Sequence, residues 1–303
     1  MMKLFLKKTG LFLSITLVTV LVVIFASKAI ALRLFNFHQP MIETVILGDS
    51  QTQCGLDDKI LPHTLNLSES ADTYFYSYVK LKRMLEHNSQ IKKVVLGFAD
   101  HNLTENQDRW LHDNEINSFK LPIYFFMFDK NDLFDFAKIN KAQIIVHSHT
   151  ILKRNFSHLL RIYRHEKIEK FGIGGFLALS KEAKKEEQKI QNRNVQKTLQ
   201  PSSLDSKYLL KIYALCQSKK ISLELISLPQ FENTLQKKAH NIDELRPYKK
   251  RADLYWHENL PNANYVDFSN YQLQTKDFAD GSHLNKNGAV LFSRMLIDSH
   301  VLN

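Results

Sequence analysis

Cysteine is scarce: the 303 residues hold only Cys54 and Cys216. Disulfide-rich scaffolds are therefore excluded, and the fold must rest on a core of its own. A single bridge stays open in an oxidising compartment, but two buried thiols is the simpler expectation. The 13 histidines show no metal-ligand spacing such as His-Glu-x-x-His, so no metal centre is expected. Gly172, Gly174 and Gly175 lack the strand-to-helix context of a dinucleotide fingerprint. No internal repeat is visible. Acidic residues are outnumbered, 31 Asp and Glu against 41 Lys and Arg, which gives a net charge of +10 and a pI of about 9.3. The lysines are scattered over helical patterns and accompany no nucleic-acid motif, so nucleic acid is not an expected partner. Hydrophobic residues at 44% and charged residues at 24% are ordinary globular values and exclude wholesale disorder.

Long apolar runs are equally scarce, with one exception. Lys3, Lys7 and Lys8 precede a charge-free run from Leu11 to Ala26, which continues past a snorkelling Lys28 to about Leu32. About 20 residues of this kind match a membrane-spanning helix. The leading lysines favour an N-in orientation with the rest of the chain outside the cytoplasm; Lys28 and Arg33 weaken that signal without reversing it. Ala29-Ile30-Ala31 resembles a signal-peptide cleavage site, but the run is long for a signal, so an uncleaved single-pass anchor is the preferred reading over a cleaved, secreted form. The expected layout is a basic cytoplasmic tail over 1–10, an anchor over 11–32, a tether over 33–41 and a folded domain over 42–299.

Within that domain, strands are expected at Thr44–Leu47, Leu65–Leu67, Ile91–Phe98, Ile221–Leu228 and Tyr265–Phe268. Helices are expected at 51–60, Thr73–Glu86, Ser206–Lys219 and after Asn285, with Ala289, Phe292, Met295 and Leu296 on one face. This alternation with short links argues a parallel α/β sheet. Residues 103–205 break the pattern with helical pieces at Phe119–Phe128, Leu133–Ile139 and Ile151–His165, a glycine-rich turn and a charged helix over Ser180–Leu199. They read as a mostly helical insertion or cap, closed by Pro201-Ser202-Ser203. A further helical stretch covers Leu235–Leu260, interrupted near Pro247.

Two stretches carry chemistry. Val45-Ile46-Leu47 is an apolar run that ends at Gly48-Asp49-Ser50, which places Ser50 near a helix N-terminus where backbone N–H groups and the helix dipole favour negative charge. Near the far end, Asp280-Gly281-Ser282-His283 sets a carboxylate three residues before an imidazole. A hydroxyl nucleophile needs a base, and the base needs an orienting group; the two stretches supply one candidate for each. Each motif alone is weak. The pair, with Leu284-Asn285-Lys286-Asn287-Gly288 following, resembles the SGNH hydrolases, the GDSL family of esterases and lipases. The resemblance spans about 42–299 and is carried by its two ends.

The resemblance implies a flavodoxin-like three-layer α/β/α sandwich with a parallel sheet, and Ser50, His283 and Asp280 as nucleophile, base and orienting acid. No cofactor is implied. It also implies an oxyanion hole built from the Ser50 N–H, a glycine N–H in a second block and an asparagine side chain in a third. The second block maps onto Asn66–Ala71, where glycine is missing and Ala71, or one of Ser68 and Ser70, stands near its place. The third maps onto Ala99-Asp100-His101-Asn102, with Asn102 as the donor and His101 as the alternative. Beside these roles stand plainer ones: Ser50 or His283 as a helix cap, Asn102 as a turn residue, Asp49 as a brace of its own turn. Tyr74, Phe75, Tyr76 and Tyr78 read mainly as core and rim, with the lining of a sugar site as the alternative. Membrane-anchored members of such a family transfer or remove acyl groups on envelope glycans, so an ester-bearing glycan or an acyl donor is the expected partner, with envelope-polysaccharide assembly proteins beside it. A non-catalytic binding or assembly module is the second reading. A tethered lipase or thioesterase, with 119–128 lining an apolar channel, is the third.

Overall fold

The computed structural model describes residues 1–140, 142–183, 202–231 and 252–299. In chain order the elements are α1 (Met2–Leu34), β1 (Thr44–Leu47), α2 (Ser50–Gly55), β2 (Thr64–Asn66), α3 (Tyr74–His87), β3 (Lys93–Gly97), α4 (Glu105–His112) and α5 (Asn114–Tyr124). Then come α6 (Lys130–Ile139), α7 (Gln143–Val146), α8 (Ser148–Tyr163), α9 (Leu204–Ser218), β4 (Ser222–Ser227), β5 (Asn264–Asp267) and α10 (Lys286–Asp298). Residues 252–259 are also helical. Most of the charged helix expected after Ser180 and much of the stretch expected over Leu235–Leu260 lie outside the described residues; residues 180–183 are not helical. The chain packs as two compact units: 1–36 with 111–171, and 37–110 with 172–303.

The second unit is a three-layer α/β/α sandwich. Among the described residues its sheet has five strands, all parallel, in the order β2-β1-β3-β4-β5. All four residues of β1 are buried, as a strand covered on both faces requires. Ile46, Val95 and Ile226 point to one face, where they pack with Leu56, Phe278, Leu284, Phe292 and Leu296. Alternation sends Val45, Val94 and Leu225 to the opposite face, which α3 and α9 cover. Phe75 and Tyr208 meet there edge to face at 5.0 Å. Cys54 and Cys216 are both buried and free. The strand order reverses between β1 and β3, and in open parallel sheets the crevice beyond the carboxyl ends of such strands is the usual ligand site.

Several local details trace to single residues. α2 stops at Gly55 rather than continuing to 60, because the Asn66 amide donates to the Thr52 and Leu56 carbonyls at 3.1 and 2.8 Å. Residues 37–39 of the expected tether are pinned to this unit: Phe37 is buried and stacks on His87 at 5.5 Å. The Asn88 amide donates to the Phe37 carbonyl at 2.7 Å, and its carbonyl oxygen accepts from Gln39 N at 2.6 Å. Tyr74, Phe75 and Tyr76 are interior residues, and the Tyr74 hydroxyl donates to the Gly97 carbonyl at 2.9 Å. That burial removes all three from any open binding surface.

The first unit joins α1 to the helices α5 to α8. α1 is longer than the expected anchor, and it is long and apolar enough to cross a membrane. Its residues Ile24, Ser27, Lys28 and Ala31 are buried within the unit. The Asn155 amide on α8 donates to the Ile24 carbonyl at 3.2 Å and to the Ser27 hydroxyl at 3.0 Å. Leu121, Tyr124, Phe125, Phe126 and Phe128 are completely buried. The 119–128 run therefore serves mainly as the core of this unit. His158 is clamped between Phe126 and Phe171 at 4.7 and 5.3 Å. Burial and the nearby Arg154 push its pKa down to about 3.

Candidate active site

Gly48 breaks β1 with a φ of +143°, a region open to glycine; a Cβ there would strike the Thr52 hydroxyl. The chain then enters α2 directly. Asp49 is its N-cap and accepts from Gln51 N at 2.9 Å, so Ser50 is the first helical residue. A first-turn N–H has no acceptor within its own helix, and the Ser50 N–H meets none among the described residues.

The far end of the chain comes to the same place. Ala279 N donates to the His283 carbonyl at 2.8 Å, closing a tight loop before α10. Asn285 caps α10 by accepting from Asn287 N and Gly288 N at 3.0 and 3.1 Å. Its amide holds the Lys276 and Phe278 carbonyls. His283 thereby faces Ser50, with Nε2 2.8 Å from Oγ. Its Nδ1 lies 3.0 and 2.9 Å from the two Asp280 oxygens. Asp280 Oδ1 also accepts from the backbone N–H groups of Ser282 and His283. Burial opposes charge on Asp280, but the His283 hydrogen bond and these amides outweigh it and bring its pKa to about 2. The same hydrogen bond holds His283 above its ordinary value against partial burial. The three side chains form a continuous hydrogen-bonded chain in the order serine, imidazole, carboxylate.

The other predicted donors are placed differently. Ala71 has φ +58°, the left-handed conformation natural to the missing glycine. Its neighbours are engaged: Glu69 N donates to the Gly48 carbonyl at 3.2 Å, and Ser70 N and Oγ donate to Gln53 Oε1 at 2.9 and 2.7 Å. The Ala71 N–H is given no acceptor among the described residues. Asn102 braces the turn that carries Ser50. Its amide donates to Asp49 Oδ2 at 3.1 Å, and its carbonyl oxygen accepts from Ala99 N at 3.0 Å. His101 Nε2 is 2.7 Å from the same Asp49 oxygen. Burial works against the Asp49 charge, but the His101 contact and the hydrogen bonds keep its carboxyl below the usual range. Asn66 and Asn102 are both buried.

One element escaped the sequence reading. Residues 175–183, which form neither helix nor strand, run as a strap between the second block, α2 and the histidine loop. Gly175 N donates to the Ser68 carbonyl at 3.2 Å, and Leu177 N to the Gln53 carbonyl at 3.0 Å. Ala183 N donates to the Phe278 carbonyl at 2.7 Å, and the Leu179 carbonyl accepts from Lys286 N at 2.8 Å. The strap ties the second block, α2 and the histidine loop together. Its glycines signal a turn, but nothing local signals those partners.

No family model and no curated protein matches the chain. A solved structure from Streptococcus pneumonia, provisionally named a platelet activating factor, aligns with a TM-score of 0.41 and 10% identity over 97% of this chain and 99% of that one. Another from Bacteroides fragilis, provisionally named an acylhydrolase, aligns with a TM-score of 0.35 and 10% identity over 86% and 88%. At this distance the activities in those names do not transfer, and the chemistry of Ser50 is read from its own neighbours.

Proposed function

We propose that the chain is a membrane-tethered serine esterase or O-acyltransferase that acts on acyl esters of cell-envelope glycan outside the cytoplasm. The observation that carries this reading is the Ser50–His283–Asp280 chain, with contacts of 2.8 and 2.9 Å. Ser50 Oγ attacks the ester carbonyl carbon as its proton passes to His283 Nε2. The resulting imidazolium is stabilised by Asp280, already ionised at its depressed pKa of about 2. The tetrahedral oxyanion is held by the Ser50 and Ala71 N–H groups. Collapse breaks the bond to the leaving alkoxide, which takes the proton from His283 and leaves an acyl group on Ser50. Water, or a sugar hydroxyl, then attacks this ester with His283 again accepting the proton; collapse breaks the acyl–Oγ bond, and His283 returns the proton to Ser50 as the acid or new ester leaves. α1 supports the tether, and the lysines ahead of it support the N-in orientation.

The test is acyl release from a small acetyl ester by the full chain in detergent, beside Ser50→Ala. The native chain is expected to be active and to bond covalently to a serine-reactive phosphonate. Equal activity in the two proteins would sink the nucleophile assignment. A second reading, a glycan-binding or assembly module, is favoured by the engagement of Asn102 with Asp49, which ties one of its two amide N–H groups to the turn before Ser50. It predicts glycan binding without phosphonate labelling.

A further inference from the structure

We infer that the outward face of α8 lies in the headgroup layer of the bilayer that α1 crosses, as a second membrane contact in the helical unit. The inference rests on the membrane-tether reading of α1 and goes beyond it. Residues 9–27 of α1 carry no charge and lie between Lys8 and Lys28. At about 1.5 Å per residue they extend roughly 28 Å, close to the ~30 Å hydrocarbon thickness. The far membrane boundary therefore falls near Ser27 and Lys28. At this level Asn155 of α8 is bonded to the Ile24 carbonyl and the Ser27 hydroxyl. Once α1 spans, Asn155 and the turn of α8 around it lie at that boundary.

The sequence of α8 suits that position. Ile151, Asn155 and His158 form its buried side. On the opposite side Phe156, Leu160 and Tyr163 follow at helical spacing and are 54%, 48% and 81% exposed. Three large apolar or aromatic side chains facing water on one stripe are costly unless something covers them. Lys153 and Arg164 flank the stripe and are exposed, and Ser148–Tyr163 contains no acidic residue. An aromatic and aliphatic stripe with basic margins fits acyl-chain ends and anionic headgroups. Continuity with the spanning helix selects the bilayer over another protein as the occupant. The contact would fix how deeply α1 sits and how the helical unit is turned on the membrane.

The test uses the full chain in vesicles of phosphatidylcholine and phosphatidylglycerol, with bromine near the headgroup end of the acyl chains or at mid-chain. Phe156→Trp and Tyr163→Trp report the stripe, Leu17→Trp reports the span, and the native chain gives the background of Trp110 and Trp256. Expected is loss of the added Leu17→Trp emission to mid-chain bromine, and of the added Phe156→Trp and Tyr163→Trp emission to shallow bromine. Quenching of Leu17→Trp by lipid while both stripe reporters respond only to aqueous iodide would overturn the docking and leave the tether standing. Absence of lipid quenching at Leu17→Trp would overturn both. Stripe reporters shielded from bromine and iodide alike, in a chain that cross-links as a dimer, would assign the face to a second copy and also overturn the inference.

Discussion

His101 Nε2 stands 2.7 Å from Asp49 Oδ2, so the residue directly before the candidate nucleophile carries an imidazole of its own. Two Asp–His pairs thus flank Ser50, and they differ in kind. In the Asp280–His283 pair the second ring nitrogen reaches the serine hydroxyl. In the Asp49–His101 pair the carboxylate is buried, caps α2 and also accepts from Asn102. The first pair can move a proton at Ser50; the second braces the turn that presents it.

This division makes Asn102 a discriminating position. An oxyanion-hole side chain costs about 100- to 1,000-fold in kcat when removed. A brace costs stability instead. Asn102→Ala leaves the Ala99 N–H and Asp49 each short of a partner, a loss of about 1–3 kcal/mol, and kcat is expected to stay within about tenfold of native. Asp49→Ala removes the cap as well as these bonds and is expected to destabilise at least as much, with about 1 kcal/mol from the cap alone. Denaturant titration beside ester-hydrolysis kinetics checks both. A fall in kcat of a hundredfold or more in Asn102→Ala at unchanged stability would return that amide to the oxyanion.

The pH dependence follows from the other pair. His283 must be neutral to accept the serine proton, and the Asp280 hydrogen bond holds it above its ordinary 6.5. Activity is therefore expected to climb with pH through a midpoint above that value. Asp280→Asn should move the midpoint down and reduce kcat by about four orders of magnitude. Stability carries the matching signs. His283, raised in the folded state, contributes fully below its unfolded value and less as pH rises through its folded one. Asp280, lowered to about 2, contributes above the unfolded carboxylate value of about 3.9 and loses that contribution as pH falls. The Tm gap between the native chain and Asp280→Asn should be widest between about pH 4 and 6.5 and narrower on both sides.

Ala71 gives a third test. Its φ of +58° costs an alanine about 1 kcal/mol or more that glycine would not incur, while glycine adds about 0.5–1 kcal/mol of unfolded-state entropy. Ala71→Gly should therefore be close to neutral in stability and keep the backbone N–H in place, with kcat unchanged. Ala71→Val should lose stability, since a β-branched residue is poorly suited to this conformation. Comparison of Tm and kcat for the two variants checks the conformation and the donor together.

The sheet was legible because its signals are local, and Ser50, Asp280 and His283 could be named from two short motifs whose pairing the family resemblance implied. Buried parallel strands read as short apolar runs, Gly48 marks the break after β1, and Asn285 announces the last helix. What was hidden depends on partners far along the chain. Nothing near Asp49 foretells His101, fifty-two positions on. The early end of α2 comes from the Asn66 amide, supplied by the next strand. The strap over 175–183 is held by backbone hydrogen bonds to the second block, α2, Phe278 and the start of α10, which leave no periodicity in its own residues.

Gln53 joins several of these hidden partners and so yields the last prediction. Its side-chain oxygen accepts from Ser70 N and Oγ, its amide donates to Glu69 Oε2 at 3.2 Å, and its backbone carbonyl accepts from Leu177 N. The loop that offers the Ala71 N–H thus hangs from a residue one turn beyond the nucleophile. Gln53→Leu keeps the volume and the strap bond but strands the two Ser70 donors, at a cost of about 1–3 kcal/mol. A loosened second block would no longer hold the Ala71 N–H over the developing oxyanion. kcat should fall while KM stays close to native, because the interaction strengthens only in the transition state. Phosphonate labelling of Ser50 should persist at a reduced rate, since the Ser50–His283 contact is untouched. Loss of stability with kcat unchanged would reduce Gln53 to a packing role and remove the second block from the oxyanion hole.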